Sequence, residues 1–170
     1  MRVGVTGHRD LADPDAVAAE VDAALDRVLA GRSVGDVTPT ATCVSSLAEG
    51  ADRLVAQRVL ARDGGRLEVV LPLPAADYAD DFADDASRRE FNDLLGAADL
   101  FLVVTADEHD ASREAAYERA GHAVLAASDV VLALCDGEPS RGRGGTAEVV
   151  AEAERLGIPV EVIHVTRARP

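Results

Sequence analysis

Short apolar runs alternate along the chain with longer segments whose apolar residues recur every three or four positions. The first run, residues 2–5, contains Val3 and Val5 and breaks off at Thr6-Gly7-His8-Arg9. Val17, Val21, Leu25, Val28 and Leu29 then follow at helical spacing. Asp13 is placed to cap that helix, Pro14 suits its first position, and Gly31 stops it. Residues 37–44 read as a second strand, although Pro39 weakens its start because proline has no N–H to give a sheet. A turn over 45–50 leads to an Ala/Leu/Val/Arg helix over 51–62, closed by Asp63-Gly64-Gly65. Residues 67–71, apolar apart from Glu68, read as a strand covered on both faces. An acidic stretch over 72–85 carries Asp77, Asp80, Asp81, Asp84 and Asp85, with Asp93 beyond it. It reads as a solvated loop and a helix start, since acid in a first turn suits the helix dipole. That helix runs to about 95, a strand follows over 100–104, a helix over 111–127 and a strand over 130–134. A glycine-rich loop over 136–145 opens a helix at 146–156, and 159–165 supplies the last strand.

Strands of buried type alternating with helices predict an α/β fold: a Rossmann-like, doubly wound, mostly parallel sheet with helices on both faces. No linker, repeat or low-complexity tract interrupts the pattern, so residues 1–170 read as a single domain.

Composition narrows the chemistry. Apolar residues at 48% exclude a disordered chain. No apolar run approaches the roughly 18 residues of a membrane helix, and no membrane partner is expected. The strand that begins at Arg2 leaves no room for a signal peptide, which predicts a cytoplasmic protein. The formal charge of -14 argues against tracking a nucleic-acid backbone, so no nucleic-acid partner is expected. All 17 basic residues are Arg, which excludes a phosphate-loop, Schiff-base or general-base lysine. Arg still clamps phosphate or carboxylate through paired hydrogen bonds. Cys43 and Cys135 each close an apolar run and read as small buried thiols.

In such sheets ligands bind beyond the carboxyl ends of the strands. The residues that follow those ends are therefore the candidates. After the first strand come Gly4, Thr6, Gly7, His8 and Arg9, where Arg9 either pairs with phosphate or neutralises Asp10 or Asp13. After the second come Ser45, Ser46, Glu49, Gly50 and Asp52; the two acids suit helix-start positions or the acceptance of ribose hydroxyls. Asp136 follows the fifth strand, and Gly144, Gly145 and Thr146 open the next helix, where backbone N–H groups and the helix dipole favour an anion. Tyr78 and Tyr117 either stack on a base or pack in the core, with the core as the default. The Asp107-Glu108-His109-Asp110 run has metal-ligand residue types but reads as a solvated acidic loop. No cofactor is expected.

Four segments in this order, Gly4-Val-Thr-Gly-His-Arg9, Ser45-Ser-Leu-Ala-Glu-Gly-Ala-Asp-Arg53, Pro72-Leu-Pro74 with Tyr78 and Phe82, and Gly144-Gly-Thr-Ala-Glu148, resemble the SLOG superfamily of Rossmann-like domains. That superfamily takes in the DNA-processing protein A family, the Lonely Guy phosphoribohydrolases and small bacterial YspA/YpsA-like proteins. The likeness is nearest to the last group and covers nearly the whole chain. It implies a pocket for a nucleotide-derived, ADP-ribose-like small molecule, a sensor or accessory role, and a homo-oligomer; the Ala-rich segment 111–127 offers a helix-to-helix face for pairing. Lonely Guy enzymes carry a functional glutamate three residues after the threonine of their glycine-rich turn. Here Val149 holds that place, and Glu148, the one candidate catalytic residue, is offset by about 100° around the helix. In the hydrolase alternative, which cleaves the N-glycosidic bond of a nucleoside monophosphate, Glu148 or Glu49 acts at the ribosyl centre and Arg9 or Arg119 orients the ligand. A structural or interaction module with no ligand is the remaining alternative.

Overall fold

In the computed structural model, which describes residues 1–33, 37–105, 112–138 and 145–168, six strands form one sheet. In chain order the elements are β1 (Arg2–Gly7), α1 (Pro14–Ala30), β2 (Thr42–Ser45), α2 (Ala51–Leu60), β3 (Arg66–Leu71), α3 (Ala75–Ala79), α4 (Asp85–Gly96), β4 (Leu100–Val103), α5 (Arg113–Ala126), β5 (Val130–Cys135), α6 (Thr146–Arg155) and β6 (Val160–His164). The spatial order is β4-β3-β2-β1-β5-β6, and every neighbouring pair is parallel. The chain winds outward from β1 to β4, then crosses to the other side of β1 for β5 and β6. The winding direction reverses between β1 and β5, and the carboxyl ends of these strands flank the crevice there.

Side chains alternate across the strands, so each face has its own core. Val3 and Val5 of β1 pack with Val17, Val21 and Leu25 of α1 and with Val55 and Val59 of α2. On the other face Val44 and Val70 meet Ala120 and Val124 of α5, while Val131 meets Ala153 of α6. Gly4 belongs to this second face: a Cβ there would lie 2.2 Å from Ser128 Oγ. Gly4 is thus the position that lets α5 close onto β1, and it does not line the cleft described below.

β2 starts at Thr42, not at 37. Pro39 cannot extend the ladder, and Val37 is left 70% exposed. The acidic stretch contains more order than a loop: a five-residue helix, α3, and the start of α4, where the Asp84 carboxylate accepts the Ser87 N–H at 2.8 Å. The residues of the Asp107-to-Asp110 run lie outside the described residues. Cys43 is buried and Cys135 partly so. Among the described residues no helix is long and apolar enough to cross a membrane.

Two features depart from ordinary packing. β4 is an edge strand whose four residues, Leu100, Phe101, Leu102 and Val103, are 55, 55, 45 and 40% exposed. The other is Arg53, whose side chain is 2% exposed. Its guanidinium carbon stacks 4.3 Å from the Phe82 ring centroid, Nε donates to Leu47 O at 3.0 Å, and Nη1 donates to Ser87 O, Ser87 Oγ and Glu90 Oε2. One flat cation thereby ties the β2–α2 turn, α2 and α4 together. An ammonium reproduces neither the stacking nor the fork of donors. Arg53→Lys is therefore expected to destabilise the protein by about 2–3 kcal/mol, measured by urea unfolding; a loss below about 0.5 kcal/mol would contradict this account.

Candidate functional site

A cleft of about 470 Å³ opens at the carboxyl ends of the strands where the winding reverses. It is lined by the turn after β1, the turn after β2, the first turn of α6, two tyrosines, and Arg167 from the C-terminal segment. Of the residues expected from sequence, Thr6, Gly7, His8, Arg9, Ser46, Asp52, Gly145 and Thr146 line it. Gly144 lies outside the described residues.

The β1 and β2 turns are welded by backbone contact. Ala51 N donates to His8 O at 3.0 Å. Gly50, at φ +73°, brings α2 so close to the first turn that a Cβ would sit 2.2 Å from Arg9 O. Gly50 thus builds the rim without lining the cleft.

Within the β2–α2 turn, Asp52 Oδ2 accepts Ser45 Oγ at 2.9 Å and Ser46 N at 3.2 Å, and Ser45 Oγ in turn accepts Leu47 N at 3.0 Å. Ser45 is fully buried, so its hydroxyl organises the turn instead of facing a ligand. Glu49 likewise points away: its carboxylate accepts the Ala83 N–H at 2.9 Å and the Ser87 hydroxyl, joining the turn to α4.

At the β5 end, Asp136 belongs to a charged knot and is absent from the cleft lining. Its carboxylate lies 2.6 Å from Arg167 Nε and 2.9 Å from His8 Nε2, and its own N–H lies 3.0 Å from His8 Nε2. Burial works to raise its pKa, but the Glu138 N–H, Arg167 and His8 hold it well below the usual carboxylate range. Arg167 arrives from the far end of the sequence. The segment after β6 pairs antiparallel with the β1–α1 loop, with a bridge between Leu11 and Arg167 and Ala12 N donating to Thr166 O at 3.0 Å. Nothing local to Arg167 announces this position.

α6 begins at Gly145 with no side-chain cap, whereas Asp13, Asp84 and Ser112 cap α1, α4 and α5. Gly145, Thr146, Ala147 and Val149 line the cleft. Glu148 does not: it lines a separate groove of about 190 Å³ with Glu118, His122, Val149 and Glu152. The helical offset between positions 148 and 149 accounts for the difference. Arg119 is also absent from the cleft lining.

The tyrosines pack against the core and also line the cleft. Tyr78 is fully buried among Phe82, Phe91 and Tyr117, with centroids 5.0, 5.7 and 6.0 Å away, and still lines the cleft. Tyr117 donates to Asp81, and the Arg9 guanidinium carbon lies 5.9 Å from its ring centroid. Arg9 is exposed and makes no salt bridge among the described residues.

Burial pushes the Asp52 carboxyl up to about 6, against the hydrogen bonds from Ser45, Ala48 and Ser46 and the charge of Arg9, which favour ionisation. A carboxyl whose folded pKa lies above its unfolded value binds its proton more tightly in the folded state. Its contribution therefore falls as pH rises from about 4 to 6, by up to about 3 kcal/mol. Asp136 and Asp81 have depressed pKa values and lose their contributions below that window. The expected result is a carbon-detected NMR titration of Asp52 with a midpoint near 6. Asp52→Asn is expected to flatten the pH dependence of urea unfolding between pH 4 and 6, whatever its absolute stability; a midpoint near 4 would refute the burial argument.

No family model matches the sequence, and no curated protein matches it. Among solved structures it is similar to the X-ray structure of DNA processing protein A (DprA) from Streptococcus pneumoniae, with a TM-score of 0.63 and 19% identity. The match covers 95% of this chain but 49% of that one, so the chain spans about half the length of the protein it resembles. The likeness establishes the fold, a parallel Rossmann-like α/β domain.

Proposed function

We propose that the cleft binds a nucleotide-derived small molecule, of the ADP-ribose-like kind, with its phosphate against the first turn of α6. The observation that carries this reading is the convergence of cationic and N–H-donating groups in a chain of net charge -14. The uncapped start of α6, Arg9, which makes no salt bridge among the described residues, and the Arg167 side chain all line one crevice where the winding reverses. A helix N-terminus offers free N–H groups and partial positive charge, and Arg adds a charge-assisted fork. The role that follows is binding or sensing. Hydrolysis of an N-glycosidic bond loses Glu148 as its acid, because that side chain lines the other groove.

AMP and ADP-ribose, titrated into labelled protein, are expected to shift the amide signals of Gly145, Thr146 and Ala147. Arg9→Ala is expected to weaken binding about tenfold, and Glu148→Gln to leave it within about twofold. Absence of amide shifts at millimolar ligand would overturn the reading.

A second reading, a self-associating interaction module, is favoured by β4. A parallel sheet is ordinarily covered on both faces, yet β4 presents exposed apolar side chains along its length and, among the described residues, an outer edge without a strand partner. A second copy paired antiparallel along β4 about a two-fold axis would satisfy that edge and bury the same residues on each chain. Light scattering is then expected to give a dimer mass, and Phe101→Glu a monomer with unaltered nucleotide titration. A wild type that stays monomeric at about millimolar concentration would exclude the β4 pairing.

A further inference from the structure

The Tyr78 hydroxyl lies buried, on a residue that lines the cleft, with no hydrogen-bond partner among the described residues. An unpaired phenolic O–H away from water is costly, and phenylalanine in the same place would keep the ring contacts with Phe82 and Phe91 without that cost. Retaining the hydroxyl makes physical sense if something that enters the cleft pairs with it. Asp52, on the same cleft wall, is near enough for its charge to act on the phenol. The carboxylate already accepts from the Ser45 hydroxyl and from the Ser46 and Ala48 N–H groups, but two carboxylate oxygens offer about four acceptor sites.

Tyr78 and Asp52 therefore bring one donor and one acceptor to the lining of the same cleft. A ligand hydroxyl is the group that fits both, because it accepts from one partner and donates to the other. Resting on the phosphate reading above, we propose that the Tyr78 hydroxyl and the Asp52 carboxylate form a subsite for a sugar hydroxyl, so that the cleft holds ribose phosphates by the sugar as well as by the phosphate. The nucleobase is not needed for this recognition. The subsite also gives a reason for the joint position of Asp52, which braces the turn and lines the cleft.

Calorimetric titration with ribose 5-phosphate and with inorganic phosphate, on the wild type and on Tyr78→Phe, tests this. The wild type is expected to bind ribose 5-phosphate at least about tenfold tighter than inorganic phosphate. Tyr78→Phe is expected to lose about five- to tenfold for the sugar phosphate and nothing for inorganic phosphate. Without ligand, the variant is expected to melt about 2–4 °C higher, since it no longer buries an orphan hydroxyl. Equal affinity of wild type and variant for ribose 5-phosphate would overturn the subsite. So would a variant that loses affinity for AMP but not for ribose 5-phosphate, which would assign Tyr78 to the base. If neither phosphate compound shifts the amides of Gly145 to Ala147, the phosphate reading itself fails and takes the subsite with it. Phosphate binding with an indifferent Tyr78→Phe removes the subsite alone.

Discussion

Leu47 holds a φ of +56°, fully buried, in a conformation that costs a residue with a Cβ of order 1–3 kcal/mol. It persists because its neighbours over-determine it. Its N–H goes to Ser45 Oγ, its carbonyl accepts from Arg53, and the Ser45 hydroxyl is in turn held by Asp52. Two adjacent residues of α2 thus fold the turn back on itself, Asp52 from the cleft side and Arg53 from the α4 side. The geometry of the cleft rim follows from this lock. It sets where Ser46 and Asp52 face, and it places Gly50 against the backbone of the β1 turn. Release of either side chain would free the segment that separates the cleft from the aromatic cluster.

In this acidic chain the crevice is lined by both signs of charge, His8, Arg9 and Arg167 with Asp52 and Glu138. Much of the surface acid is answered by arginine: Arg2 with Glu68, Arg27 with Glu161, Arg62 with Asp26. Exposed pairs of this kind contribute little to stability. Their effect is on the local field, since charges beyond roughly 8 Å are screened at physiological salt. At the crevice the balance differs. Asp52 is buried with its pKa raised to about 6, Asp136 is matched by Arg167 and His8, and Arg9 makes no salt bridge among the described residues. Net charge therefore says little about the charges placed around a single pocket.

Sequence pattern was a good guide wherever one local rule decided the outcome. Continuous apolar runs such as Val130 to Leu134 belong to strands buried on both faces, and β5 and β3 follow them closely. Glycine-rich turns at strand ends marked three walls of the cleft. The offset of Glu148 was legible too, because helical phase alone turns it from the face that Val149 presents. What escaped was set by distant contacts. Gly4 resembles a ligand glycine but answers to Ser128 in the turn after α5, and Ser45, Glu49 and Asp136 are consumed by partners that folding brings in. Arg167 reaches the site only because the last residues pair with the loop after β1. β2 begins late because Pro39 interrupts a run that its composition alone would extend.

The cleft also crosses the sheet from one layer to the other. Tyr78 and Asp52 belong to elements that pack with α2 and α4, whereas Tyr117 and Gly121 lie on α5, and Thr146 on α6. A ligand that touches both sets would bridge two layers that are also joined directly, by Tyr117 against Tyr78 and Asp81. Each layer carries its own apolar cluster, so each can loosen with some independence. Binding stabilises whichever arrangement closes the cleft, by an amount fixed by ligand concentration relative to its dissociation constant. The tail is part of the same arrangement, since Arg167 both faces the cleft and grips Asp136. Occupancy would thus be felt at the α5–α6 layer, at the α2–α4 layer and at the chain terminus together. A sensor requires that kind of coupling from one pocket, and a site confined to a single face of the sheet would not supply it.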